Sequence, residues 1–297
     1  MMNFSATASV GKPSGKHTAR WWLFKVLSFF PYVILTAMLA VSMLPLLAMV
    51  GTSFRSFEAM FATRSIFPDE WSLDFYRRVL NDPRMVNYFL NSILTATVTA
   101  FATVLVAVLG GYSLARFRKR VRGLGIFVTF ILMVQMFPTL QMIIPLFLNF
   151  SAWGVMNTRH TLMMVYPAFT LPMSLMMMHA FIEGIPTELE EAGRIDGCTR
   201  FGVLWHLVLP VSKPGIASVA ILAFNHAWNE FLLAMLFIRT DRYRTVPVGL
   251  HNFAGENSMD WGSIMAASVL MLVPILLFLN ILQKHIVGGL TIGSVKG

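Results

Sequence analysis

Long apolar runs alternate with short polar connections along the chain, and six of the runs have the length of a membrane span. A helix needs about 20 apolar residues to cross the ~30 Å hydrocarbon core of a bilayer. Runs near that length occupy roughly 26–50, 90–114, 124–144, 161–181, 215–237 and 261–282. The pattern predicts an all-α integral membrane protein: one domain of six transmembrane helices, 26–282, between polar tails at 1–25 and 283–297. Basic residues precede the first run as they precede a signal-sequence core. Its length exceeds the usual 7 to 15 residues of such a core, so it reads as a retained span. The third run contains Gln135, Pro138 and Gln141 and is the least uniform. The fourth carries Pro167 and Pro172, which membrane helices tolerate because neighbours re-satisfy the freed carbonyls. The outer connection 51–89 holds an amphipathic stretch at Leu73–Leu80, and the composition of the first 20 or so residues predicts a disordered tail.

Composition agrees with lipid as the medium. Of 297 residues 56% are hydrophobic and 12% charged, about half the charged share of a soluble domain, and mean hydropathy is +0.67. A net charge of +9 would suggest nucleic acid in a soluble protein, so its placement decides its meaning. Cytoplasmic connections accumulate Lys and Arg. With the N-terminal tail inside and the spans alternating, all seven lysines and the run Arg116–Arg122 fall on the inner side, and both termini are cytoplasmic. The inner side then holds 14 basic and 5 acidic residues, the outer side 9 and 8, and Glu230 lies within the fifth run. The excess charge encodes orientation, and no nucleic-acid partner is implied. The lone Cys198 excludes an internal disulfide and a multi-Cys zinc site.

One inner connection departs from this basic pattern. The segment 182–212 contains Glu183, Glu188, Glu190, Glu191 and Asp196, all five acids of that side. Thr187 with Glu190 three residues on has the spacing of a capping box, and Gly197 is placed to end the helix in a left-handed conformation. The spacing predicts a helix over about 188–196 with Leu189, Ala192 and Ile195 on one face and Glu188 and Glu191 on another. Thr199 is placed to cap a second short helix that stops before Pro210. A lipid-lying helix normally presents Lys or Arg to anionic headgroups; acids suit a protein partner better.

The ordered residues Glu191-Ala192-Gly193, Asp196-Gly197 and Leu207-Val208-Leu209-Pro210 resemble the EAA loop of the membrane subunits of type I ABC importers. Further matches are Ile185-Pro186-Thr187-Glu188-Leu189-Glu190, Trp153 to Thr158, Trp228-Asn229-Glu230-Phe231-Leu232 and the tail Gly289 to Gly297. Over about 30–297 the chain is similar to the maltose-permease G-type branch of that family. Two departures stand out: Gly193 replaces a usual alanine, at roughly 1 kcal/mol of helix propensity, and Cys198 stands where a small Ala is usual.

The resemblance implies the type I importer permease fold in the bacterial inner membrane and a non-enzymatic role in sugar uptake. It implies three partners: a second, F-type permease subunit, an ATPase homodimer that binds the ATP and Mg, and a periplasmic sugar-binding protein. Glu188, Glu191, Ala192, Gly193, Asp196 and Gly197 then seat in the ATPase. Thr291, Gly293 and Lys296 touch it near its dimer interface, although a frayed terminus is the plain alternative. No cofactor is expected on the chain itself. Gly11 to Lys16 approaches a phosphate-loop spacing but is one residue short and precedes no strand-helix unit.

Asn225, His226, Asn229 and Glu230 form a polar cluster in the fifth run, with Trp228 beside them. Ionisable groups at membrane depth usually face a bundle interior or a water-filled path. The cluster either lines the translocation pathway, with Trp228 stacking on a sugar ring, or Glu230 locks packing through a hydrogen bond. The Met176-Met177-Met178 run reads as adaptable packing. An ion-coupled secondary transporter is the competing class, met only by the buried Glu230. A membrane enzyme lacks any nucleophile-and-base set or metal-spaced ligands at motif spacing.

Overall fold

The computed structural model describes residues 15–62, 65–118, 120–121, 123–251, 253 and 260–292, with side chains described within 29–60, 65–118, 120–121, 123–251, 253 and 260–284. Among them, regular structure is entirely helical. Four helices are long and apolar enough to span a bilayer: α1 (Gly15–Ser53), α4 (Pro83–Phe117), α7 (Arg159–Glu183) and α14 (Trp261–Ile292). Short helices α2 (Phe57–Ala62) and α3 (Asp74–Asn81) lie between α1 and α4. Helix α1 begins at Gly15, inside the stretch whose composition predicts disorder; residues 1–14 lie outside the described residues.

Two of the six runs are broken. The third is α5 (Leu124–Gln135) and α6 (Thr139–Ala152), bent by 99°. Pro138 causes the break: it disfavours helical geometry at Phe137 and is itself extended, with φ −61° and ψ 130°. The fifth run, 215–237, is also not one helix. Helix α11 (Lys213–Asn229) stops at Glu230, which is extended at ψ 124°, and α12 (Leu232–Phe237) restarts beyond it. Helix α13 (Val246–His251) follows a short 3₁₀ turn at Asp241–Tyr243. The element between α7 and α11 is α8 (Thr187–Ile195), α9 (Arg200–Val203), a π-helical turn (Leu204–Val208) and α10 (Leu209–Val211). Counting each bent pair once, Arg200–Val211 with α11 at 77° being the second, up to six spans result.

Helix α4 is the centre of the bundle because its buried face is small. Ser92, Ala96, Ala100, Thr103, Ala107 and Gly111 recur at three- and four-residue steps, and small residues let helix backbones approach closely. Helix α7 packs along this face, with the Thr103 and Thr170 hydroxyls 2.9 Å apart. At Gly111 a β-carbon would lie 2.7 Å from Met178 Cβ and 2.9 Å from the His179 backbone nitrogen. Helix α11 crosses α4 and α7, and α14 packs on α11. Helix α1 touches α14 at the periphery, and its apolar side chains face outward, with Phe29, Phe30 and Leu35 each 63% exposed. Met178 is fully buried and Met176 and Met177 partly so, as expected of packing residues.

The amphipathic stretch of the outer connection is α3, whose buried Phe75 and Val79 pack against α14. Asp260 fixes that contact. It accepts a 2.8 Å ion-pair hydrogen bond from Arg78 and, at the start of α14, bonds from the Ser263 backbone N–H (3.1 Å) and hydroxyl (2.7 Å). Burial pushes the Asp260 carboxyl up, but the Ser263 bonds and the Arg78 guanidinium outweigh it and hold the group below the ordinary carboxylate value.

Candidate functional site: a docking helix and a polar break

Helix α8 is fastened to the end of α4 by one nearly buried ion pair. Arg116 Nε donates to Glu190 Oε1 at 2.6 Å, with the two side chains 10% and 12% exposed. Tyr112 Oη donates to Glu190 Oε2 at 3.0 Å, and Arg116 Nη2 donates to the Ile185 carbonyl at 2.9 Å. The expected capping box is therefore not formed. Pro186 holds the N-cap position with no side-chain bond, and the Glu190 carboxylate is spent on α4 instead. An ionised acceptor gains more from a guanidinium than from a backbone amide.

The far end of α8 follows expectation. Gly197 adopts φ +89°, and the Cys198 N–H donates to the Gly193 carbonyl at 3.0 Å, closing the helix. Thr199 accepts from the Gly202 N–H at 3.1 Å and starts α9. Gly193 is buried: a β-carbon there would lie 2.3 Å from Leu207 Cδ1, so the missing methyl is space filled by the returning chain. Glu188, Glu191, Ala192, Asp196 and Gly197 are all exposed. So are Leu189 and Ile195, the latter 86% exposed. The helix thus presents an apolar strip rimmed by acids away from its own fold.

The polar cluster of the fifth run divides in two. Glu230 sits at the α11–α12 break, where Oε1 accepts from the Leu233 N–H at 2.8 Å and Oε2 from the Ala234 N–H at 3.0 Å and Tyr166 Oη at 2.9 Å. It caps the second half-helix and ties it to α7. Trp228 corrects the sugar-stacking expectation: it is fully buried, stacked on Phe224 at 5.8 Å and 10°. Asn225, His226 and Asn229 remain exposed, with Asn229 Nδ2 donating to Asn225 Oδ1 at 2.9 Å. His226 lines a cavity of about 330 Å³ between α5, α6 and α7, and with Asn225 a second of about 640 Å³ between α11 and α14. Thr291 falls on the last turn of α14, and its side chain, with Gly293 and Lys296, lies outside the described residues. Among the described residues no group of three or more His, Cys, Asp or Glu is placed to hold a metal.

Residues 107–291 match the family described as binding-protein-dependent transport system inner membrane component. This stretch covers α8, the π-helical turn and the α11–α12 break. The chain belongs to that family. It is 35% identical over 268 residues to the sulfoquinovosyl glycerol transport system permease protein SmoH of Agrobacterium fabrum, covering 90% of this chain and 93% of that protein. It is 36% identical over 263 residues to the trehalose/maltose transport system permease protein MalG of Thermococcus litoralis, covering 88% and 94%. A chain of a bacterial ABC transporter involved in import of the acidic polysaccharide alginate has the same fold, with a TM-score of 0.77, 22% identity and coverage of 88% and 96%. The chain is thus a multi-pass membrane subunit of the transport-permease kind.

Three residues of this permease carry structure that the sequence did not disclose. Arg116 reads in sequence as one more orientation charge, yet it alone of its basic run makes an ion pair among the described residues. Tyr112, one turn earlier, reads as part of a span. Asn157, in the Trp153–Thr158 motif, adopts φ 60° and clamps the turn after α12, accepting from the Arg239 and Thr240 N–H groups at 2.9 and 2.8 Å.

Proposed function

We propose that this permease is one of two membrane subunits of a binding-protein-dependent sugar importer in a bacterial inner membrane, with both termini and the 182–212 segment cytoplasmic. A second, F-type permease completes the translocation pathway, a pair of ATPase subunits binds and hydrolyses ATP, and a periplasmic sugar-binding protein delivers the substrate. The sugars named for the two relatives support that substrate class.

One observation carries the reading: α8 is bolted to α4 on one side while its other side is an unpartnered apolar strip rimmed by Glu188, Glu191 and Asp196. A helix tied to a span this way transmits displacement. An ATPase that grips Leu189, Ala192 and Ile195 moves α4 through the Arg116–Glu190 pair, and α7 moves with it along the small-residue face. Thr291, Gly293 and Lys296 add a second ATPase contact. On the pathway side Asn225, His226 and Asn229 offer hydrogen-bonding groups to sugar hydroxyls, while Glu230 holds the break.

Uptake into proteoliposomes carrying the complete transporter tests this. ATP and the binding protein should both be required, and Ile195→Asp should abolish uptake together with stimulation of ATP hydrolysis. Uptake driven by a proton gradient without ATP would replace the reading with an ion-coupled transporter.

A further inference from the structure

A groove of about 310 Å³ runs between α4 and the 201–216 segment, lined by apolar and aromatic side chains that include Phe101, Leu105, Leu109, Phe201 and Trp205. At its α8 end the same elements form a second pocket of about 120 Å³, lined by Arg116, Arg120, Arg194 and Arg200 with Glu190 and Glu191. Helix α4 lines both along one face, supplying Phe101, Leu105 and Leu109 to the groove and Tyr112 and Arg116 to the pocket at three- and four-residue steps, and Arg120 joins the pocket from the turn after α4. On the facing segment Arg200 lines the pocket and the next residue, Phe201, lines the groove.

The charges in the pocket do not cancel. Glu190 is taken by Arg116. Among the described residues Arg120, Arg194 and Arg200 have no carboxylate within ion-pair distance. Arg200 lies over the Phe117 ring at 5.6 Å, a contact that leaves its N–H edges open. Groove and pocket match in depth too. The α4 stretch 101–109 spans about 12 Å at 1.5 Å per residue, near half of the ~30 Å hydrocarbon core. Arg116 stands about 10 Å further along the helix, two residues beyond the apolar run 90–114. Phe201 and Trp205, stacked at 6.4 Å and 66% and 60% exposed, line the groove from the 201–216 side; such rings concentrate at membrane–water interfaces.

The geometry points to one anionic phospholipid bound here, its acyl chain in the groove and its phosphate on Arg120, Arg194 and Arg200. Guanidinium groups pair with phosphate oxygens through two parallel hydrogen bonds, and basic pockets between membrane helices suit anionic headgroups. A helix of a partner subunit would fill the groove but bring no anion to the pocket. The lipid touches both Arg194 on α8 and the face of α4, so it bridges the docking element to its span.

Phosphatidylglycerol carrying a photoreactive diazirine in one acyl chain is the probe, used in nanodiscs on the full chain with its co-purified subunits and read by peptide mapping. Label is expected in 101–109 and 201–209, displaced by unlabelled phosphatidylglycerol but not by phosphatidylcholine. Each of Arg120→Gln, Arg194→Gln and Arg200→Gln should lower it about fivefold. Leu105→Trp, which fills the groove and leaves the arginines in place, should remove the label from a complex that elutes normally on gel filtration. Equal labelling by a phosphatidylcholine probe, displacement by inorganic phosphate alone, or labelling seen only without the partner subunits would overturn the proposal.

Discussion

The Arg116–Glu190 pair makes the sharpest prediction. Glu190→Ala leaves a guanidinium that is 10% exposed without its carboxylate and removes the acceptor of Tyr112. Breaking one side of a buried pair costs about 3–5 kcal/mol; with about a tenth of each side chain still wetted, the lower end, roughly 3 kcal/mol, applies. That shifts the ratio of seated to detached α8 by about 100-fold. Arg116→Met with Glu190→Leu removes both charges and fills similar space, so the double variant should recover most of the loss, since apolar replacement of both partners is often near neutral. SDS-induced unfolding in mixed micelles measures the double-mutant cycle, and ATP-driven uptake measures the mechanical consequence. The expected coupling energy is about 2–3 kcal/mol, with uptake at least tenfold lower in each single variant. Single variants within about 0.5 kcal/mol of the parent, additive in combination and active in uptake, would refute the idea that this pair transmits motion.

Other outcomes follow from the same geometry. Asn225→Ala should reduce sugar uptake, whereas Trp228→Phe, inside the core, should leave the affinity for sugar unchanged and lower only stability; a raised half-saturation constant in Trp228→Phe would restore the stacking role. Glu230→Ala orphans two helix N–H groups and Tyr166 Oη, each worth about 1–3 kcal/mol when buried and unsatisfied, and hydrogen exchange should show α12 losing protection; unchanged protection would contradict the capping role. The Asp260 carboxyl titrates lower folded than unfolded, so its stabilisation is fully present above the unfolded value near 3.9 and is lost as pH falls towards the folded one. Asp260→Asn should therefore lower the melting temperature at pH 7, with the difference from the parent beginning to close only as pH falls below about 4; a difference that stays constant as pH is lowered further would contradict the assignment.

Much of the architecture was legible because hydrophobic length reports spans directly. The two broken runs were not, for different reasons. Pro138 was visible, but prolines are tolerated inside membrane helices, so its presence alone did not distinguish a continuous span from the 99° break between α5 and α6. Glu230 looked like an ionisable group inside a span, and only its bonds to Leu233 and Ala234 reveal a side chain that ends one helix and begins another. In the docking segment Gly197 and Thr199 were readable because their roles are local. Glu190 was misread for the opposite reason: its partners Tyr112 and Arg116 lie 78 and 74 residues away, and a local capping pattern cannot register a distant guanidinium.

The central claim is that the outward face of α8 is where an ATPase grips this permease. Cross-linking tests it most directly. With Cys198 replaced by Ala and Ile195→Cys introduced, a maleimide carrying a benzophenone through a disulfide-containing spacer, attached at position 195 and irradiated in the assembled transporter, should join that position to the ATPase subunit and block uptake until the disulfide is reduced. A complex that transports ATP-dependently while position 195 stays freely reactive and joins no subunit would contradict the account.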